Sequence, residues 1–178
     1  MKQHSCLHYT TEEDYLNLVI PFFRQGFLGN NFCMWIVLLQ WGVENARAAL
    51  REKMPNADTY IEKGRLEIIS CDEWYSGFGI FDTDEMLVKW STKEKDVLER
   101  GFNGLWVCGD GSWVKAEDWE KLTAYEESIN KTIHATTITA MCTYSSKAVD
   151  INHAFLLSFF HDSTIRSDNG QLSVLGKT

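Results

Sequence analysis

Leu105-Trp106-Val107-Cys108-Gly109-Asp110 is a short apolar run that ends in an acid and enters Gly111-Ser112-Trp113. A second run, Thr137-Ile138-Thr139-Ala140-Met141-Cys142, leads into Thr143-Tyr144. Both read as short strands, the first of them buried. The residues from Glu117 to Lys131 between them have the spacing of a helix. In an open α/β sheet the ligand crevice lies outside the carboxyl ends of the strands. Asp110 and Tyr144 therefore mark the rim where function is expected.

The same alternation extends outward in both directions. Residues 4–9 read as a strand. Thr10-Thr11-Glu12-Glu13-Asp14 is a helix start, with a hydroxyl cap and acids in the first turn. Leu16, Val19, Ile20, Phe23 and Phe27 share one face of that helix, Pro21 is expected to kink it, and Gly26 and Gly29 stand near its end. Strands are expected over 32–39 and 66–69. Helices are expected over 43–53, 82–100 and 151–161, with a helical turn over 58–63. Ser167-Asp168-Asn169-Gly170 reads as a turn before a closing segment, 171–175. Strand and helix in alternation predict an α/β fold of three layers, a mainly parallel sheet with helices on both faces. The expectation is one domain over residues 1–178, with its core at about 4–166.

Composition narrows the function. The 178 residues carry a net charge of -8, and Lys and Arg are scattered, which argues against direct nucleic-acid binding. No apolar window reaches a membrane-spanning length of about 18 residues, and no signal-type run follows the N-terminus, so a cytoplasmic protein is expected. The five cysteines, at 6, 33, 71, 108 and 142, are widely spaced and lack a C-x-x-C pair, which disfavours a disulfide framework or a zinc ribbon.

Several residues stand out as chemistry. Aromatic and polar groups gather at the expected strand ends: Tyr9, Trp41, Trp74 and Tyr75, Asp110 and Trp113, and Tyr144. Such a set lines small-molecule pockets, or it caps the sheet edge. Glu126 falls on the face of its helix defined by Trp119, Leu122, Ile129 and Ile133, where a carboxylate needs partners. It is either a ligand contact or a structural acid. His4, Cys6 and His8 alternate along the first strand and share a face. They could hold a transition metal with Cys142 or His161, or simply pack. Gly109-Asp110-Gly111-Ser112-Trp113 lacks the closing glycine of a nucleophile elbow. No G-x-x-x-x-G-K-[ST] loop precedes a helix.

The ordered set of motifs resembles the MEDS domain, the sensory domain of methanogens and methylotrophs named with the dichloromethane regulator. It comprises His4-x-Cys6-x-x-Tyr9, Val19-x-Pro21-Phe22-Phe23-x-x-Gly26-Phe27, Cys33-x-Trp35-Ile36-Val37 and the stretch from Ala48-x-Leu50 through Tyr60-Ile61-x-x-Gly64-x-Leu66. Trp74-Tyr75, Phe81-Asp82 and Gly101-Phe102-x-Gly104-Leu105 follow. Gly109-Asp110-x-Ser112-Trp113, Tyr125-Glu126 with Asn130, and Ala140-x-Cys142-x-Tyr144 complete it. The chain departs from the family at Gly109-Asp110-Gly111-Ser112-Trp113, where Gly-Glu-Met-Ser-Trp is usual, and at His161-Asp162, where His-Pro is usual.

The resemblance implies a layout similar to RecA-like and circadian-clock-type ATPases without a phosphate-binding loop, whose place is taken by Thr10-Thr11-Glu12. It implies a sensory, non-enzymatic ligand-binding domain for a small hydrocarbon derivative or one-carbon compound. A histidine kinase or transcription-regulator module, in cis or in trans, would read the signal, with a homodimer left open and no cofactor or metal required. The expected ligand-binding residues are His4, Tyr9, Asp110, Trp113, Glu126, Cys142 and Tyr144, converging on one pocket. The loop Ser76-Gly77-Phe78-Gly79 is the expected moving part. A degenerate nucleotide hydrolase and a metal or redox sensor using His4, Cys6 and Cys142 are the alternatives.

Overall fold

The computed structural model describes residues 3–38, 40–75 and 82–176, so the Ser76–Gly79 loop lies outside the described residues. In chain order the elements are β1 (His4–Tyr9), α1 (Glu12–Leu28), β2 (Phe32–Val37), α2 (Val43–Lys53), α3 (Ala57–Glu62) and β3 (Leu66–Ser70). Then follow α4 (Cys71–Tyr75), α5 (Thr83–Glu99), β4 (Leu105–Asp110), α6 (Trp119–Thr132) and β5 (Ile138–Ser145). The chain closes with α7 (Ile151–Ser158), β6 (Ser163–Asp168) and β7 (Gln171–Gly176). All seven strands form one sheet in the order β3-β2-β4-β5-β1-β6-β7. Every pairing is parallel except β6 with β7.

Strand alternation sorts the core into two halves. On β2, Cys33, Trp35 and Val37 face α1, α2 and α3, packing with Leu16, Val19, Phe23 and Leu50. Phe32, Met34 and Ile36 face the other side, with Trp74, Trp90, Leu122 and Leu157 from α4–α7. Both faces of β2 are buried, which is why its sequence is apolar throughout. Two buried indoles find hydroxyl partners: Trp35 donates to Tyr15 Oη at 2.7 Å and Trp90 to Tyr125 Oη at 2.6 Å.

Local signals set the helix ends. Thr11 caps α1 and accepts from the Asp14 amide, while Asp14 accepts from the Thr11 amide, a complete capping box. Asp82 caps α5 through the Glu85 amide, and Asp150 caps α7. Helix α1 runs on through Pro21, whose ring lies on the solvent face.

The C-terminal region differs from expectation. The helix expected over 151–161 ends at Ser158, and the chain then forms β6 beside β1. Asn169 (φ 48°) and Gly170 (φ 81°) turn it back as β7. Positive φ at both central residues is the hairpin geometry that Asn-Gly favours. One sequence-distant residue fastens this hairpin. Asp14, buried in the first turn of α1, accepts from Ser167 Oγ at 2.7 Å, the Gly170 amide at 2.8 Å and the Asn169 amide at 3.1 Å.

Candidate functional site

Asp110, at the end of β4, is buried and accepts from Tyr9 Oη at 2.6 Å and from the Ser112 amide at 2.8 Å. Burial raises its pKa against the pull of these hydrogen bonds. The pair edges a crevice of about 160 Å³ whose walls include Thr10, Glu12, Tyr15 and Trp41. This is the carboxyl rim of the sheet, on the α1 side.

A larger cavity, about 270 Å³, opens on the opposite side of the sheet, between β2, β4 and β5 and the helices α5 and α6. Ile36, Val107, Ala140, Trp90, Leu122 and Ile129 supply apolar walls. Trp113 lines it as well, tilted against Tyr75 at 5.2 Å. Glu126, Cys142 and Tyr144 give it one polar corner. Gly111 permits this arrangement, because a Cβ there would lie 2.4 Å from Tyr144 Cε1.

The seven expected residues therefore divide. Trp113, Glu126, Cys142 and Tyr144 share the apolar cavity, and His4 stands behind it. Tyr9 and Asp110 belong to the other crevice. Asp110 and Glu126 do not converge, because β4 presents Val107 to the α6 side, and the alternate residues Cys108 and Asp110 to the α1 side.

Behind the polar corner lies a buried cluster. Register places His4 of β1 opposite Ala140, two residues before Cys142 on β5, and α6 lays Glu126 over both. Glu126 Oε2 lies 3.3 Å from His4 Nε2 and 3.4 Å from His161 Nε2, and Oε1 accepts from Tyr144 Oη at 2.7 Å. Cys142 Sγ lies 3.5 Å from His4 Nε2 and 3.7 Å from Glu126 Oε2. The imidazoles of His4 and His161 face each other at 4.1 Å.

Burial alone would raise the Glu126 pKa, yet the contacts from His4, His161 and Tyr144 win and hold it down, to about 2. Burial, reinforced by His4, pushes His161 down to about 4. Burial and the Glu126 charge push the Cys142 thiol well up.

Ligand atoms of His4, Glu126, Cys142 and His161 all lie within 4.8 Å of one another, a grouping able to hold a metal. Cys6 and His8 share their strand face with His4 but stand outside this group, with Cys6 Sγ 3.3 Å from His8 Nε2. The site set read from the sequence omitted His161 and Asn130. Asn130 sits one turn after Glu126 on α6, so helical spacing was the signal for it.

The sequence model of the MEDS family, described as the methanogen/methylotroph, DcmR sensory domain, matches residues 3–161. The chain belongs to the MEDS family. A search of curated proteins gave no match. The fold of this MEDS domain is KaiC-like and RecA-like. It resembles the KaiC-like protein PH0186 from Pyrococcus horikoshii, with a TM-score of 0.56 at 11% identity over 97% of this chain and 76% of that one. The flagellar accessory protein FlaH from Methanocaldococcus jannaschii gives 0.52 at 15% identity over 99% and 77%. The protein PH0321 from Pyrococcus horikoshii, solved with an unknown peptide, gives 0.64 at 11% identity over 99% and 84%. At these identities the likeness concerns the fold. Among the described residues of the MEDS domain, no helix is long and apolar enough to cross a membrane.

Proposed function

We propose that this MEDS domain senses a small hydrocarbon derivative or one-carbon compound held in the cavity between the sheet and helices α5 and α6. The observation that carries the reading is the shape and chemistry of that cavity. It has about 270 Å³ of space, mostly apolar walls, and a polar corner at Glu126, Cys142 and Tyr144, with Ser91, Glu94, Thr132 and Thr136 also on its lining. Apolar lining with a few fixed polar groups is the usual composition of a small-ligand site. The apolar walls supply affinity and the corner orients the ligand.

The corner also leads outward. His161 shares contacts with Glu126 and hydrogen-bonds the Leu157 carbonyl of α7 at 2.8 Å. That helix exposes Ile151 and Phe155, with Phe159 just beyond its end. A ligand that shifts Glu126 biases α7, and a histidine kinase or regulator module, in cis or in trans, reads the change. Tyr9 and Asp110, in the other crevice, position the β4 rim and do not touch this ligand. The domain acts in the cytoplasm and performs no chemistry of its own.

Thermal-shift and calorimetric screening of one-carbon, methylated and halogenated compounds tests the reading. Saturable binding by the wild-type chain is expected, and its loss in Ile129→Trp, which fills the cavity from α6. No binding across a broad screen of folded protein, or binding unchanged in Ile129→Trp, overturns it.

A further inference from the structure

We infer that His4, Glu126, Cys142 and His161 form a tetrahedral site for a borderline divalent transition ion, Zn²⁺ in the first instance. Four atom pairs carry the geometry. Zinc bonds nitrogen and oxygen at about 2.0–2.1 Å and sulfur at about 2.3 Å, so tetrahedral edges are about 3.4 Å between N and O and about 3.6 Å to S. The Glu126 Oε2 edges to His4 and His161 are 3.3 and 3.4 Å. The Cys142 Sγ edges to His4 and Glu126 are 3.5 and 3.7 Å.

Hydrogen-bond accounting points the same way. The Leu157 carbonyl can only accept, so His161 Nδ1 carries the proton in the 2.8 Å bond between them. His161 Nε2 is then a bare lone pair in the neutral ring. It is buried, has no hydrogen-bond partner, and faces a carboxylate oxygen that is also a lone-pair donor. His4 repeats the pattern more loosely, with Nδ1 3.5 Å from Asn130 Oδ1 and Nε2 toward Glu126 and Cys142. A ring whose far nitrogen is held by a carbonyl or carboxamide, and a carboxylate whose second oxygen is held by Tyr144, are the outer contacts that orient metal ligands. A cation at the centre of the four atoms also balances the buried Glu126 charge. On binding, the Cys142 thiol gives up its proton to solvent and the thiolate bonds the metal. Cys142 and Glu126 line the apolar cavity, which supplies the entry path.

The test uses the full chain, freed of metal with a chelator and titrated with Co²⁺ without oxygen. Saturation at one cobalt per chain is expected, with the intense visible bands of tetrahedral cobalt and a near-ultraviolet thiolate-to-cobalt band. Cys142→Ser loses the near-ultraviolet band. Tyr144→Phe keeps all four ligands and the spectrum, but binds roughly 10- to 100-fold more weakly. If Cys142→Ser fails to fold, the wild-type spectrum decides alone. No saturable binding, a weak six-coordinate spectrum, or a thiolate band that persists in Cys142→Ser overturns the assignment. This readout involves no organic ligand, so its failure is distinct from failure of the sensory reading.

Discussion

Tyr144 on β5 donates its phenol to Glu126 Oε1 on α6 at 2.7 Å, and both residues are almost wholly buried. The bond joins the sheet to the helix layer at the polar corner of the apolar cavity. A hydrogen bond to a charged group contributes about 1.5–3 kcal/mol. Tyr144→Phe is expected to lower the unfolding free energy by about that amount in urea titration. A change under about 0.5 kcal/mol would show that the Glu126 charge is satisfied without Tyr144.

Gly111 controls the same ring from the β4 side. A Cβ at this position would sit 2.4 Å from Tyr144 Cε1, so the ring or the loop must move. Gly111→Ala is expected to cost about 1–3 kcal/mol and to turn Tyr144 away from Glu126. A crystal structure of the variant showing the 2.7 Å bond intact would refute this.

Asp14 ties the two ends of the chain together. It takes hydrogen bonds from Thr11 at the head of α1 and from Ser167, Asn169 and Gly170 in the hairpin. Burial opposes ionisation, but these donors prevail and hold its pKa well below the ordinary carboxylate range. Asp14→Ala strands several donors at once and is expected to cost about 3 kcal/mol. The loss is expected to be local first: hydrogen exchange at the Asn169 and Gly170 amides rises more than at β2. Equal protection of those amides in variant and wild type would sink the claim.

Much of this architecture is legible in the sequence, and the reasons for the misses are physical. Phe32 to Val37 and Leu105 to Asp110 are apolar because helices cover both faces of those strands. Strand β6 is Ser163-Thr164-Ile165-Arg166-Ser167-Asp168, near the sheet edge, where only Thr164 and Ser167 are buried. It carries no apolar run to announce it. Glu126 was recognisable because helical spacing put a carboxylate on an apolar face. Its separation from Asp110 was not, because strand order decides which face each helix covers, and that order is a property of long-range pairing. His161 became a neighbour of His4 only when β6 docked beside β1.

The family resemblance implies that the head of α1 takes the place of a phosphate-binding loop, and its chemistry disfavours a phosphate. The Asp14 amide is taken by Thr11 Oγ1, and Glu12, Glu13 and Asp14 occupy the first turn. Anions bind helix starts through free amides and the positive dipole end, and both are offset here. Calorimetry is expected to show no saturable binding of magnesium-ATP. Saturable binding that weakens in Asp110→Asn would instead favour the nucleotide-hydrolase alternative.

His8 makes stability depend on pH. Burial lowers its pKa from the ordinary 6.5 to about 4, with the Ala154 backbone opposing and the Arg166 charge assisting. The Cys6 thiol and the Tyr144 ring complete its surroundings. The folded ring stays neutral while the unfolded one takes up a proton, so the unfolded state binds more protons between these two values. Stability is therefore fully present above pH 6.5 and falls as pH drops toward 4. The contribution of His8 is on the order of 3 kcal/mol, at 1.36 kcal/mol per pKa unit. His161 shifts in the same direction, so removing His8 alone flattens the profile without abolishing its slope. Urea midpoints measured for wild type and His8→Gln on both sides of this window are expected to converge as the solution is acidified. A wild-type slope retained in full by His8→Gln would place the acid sensitivity elsewhere.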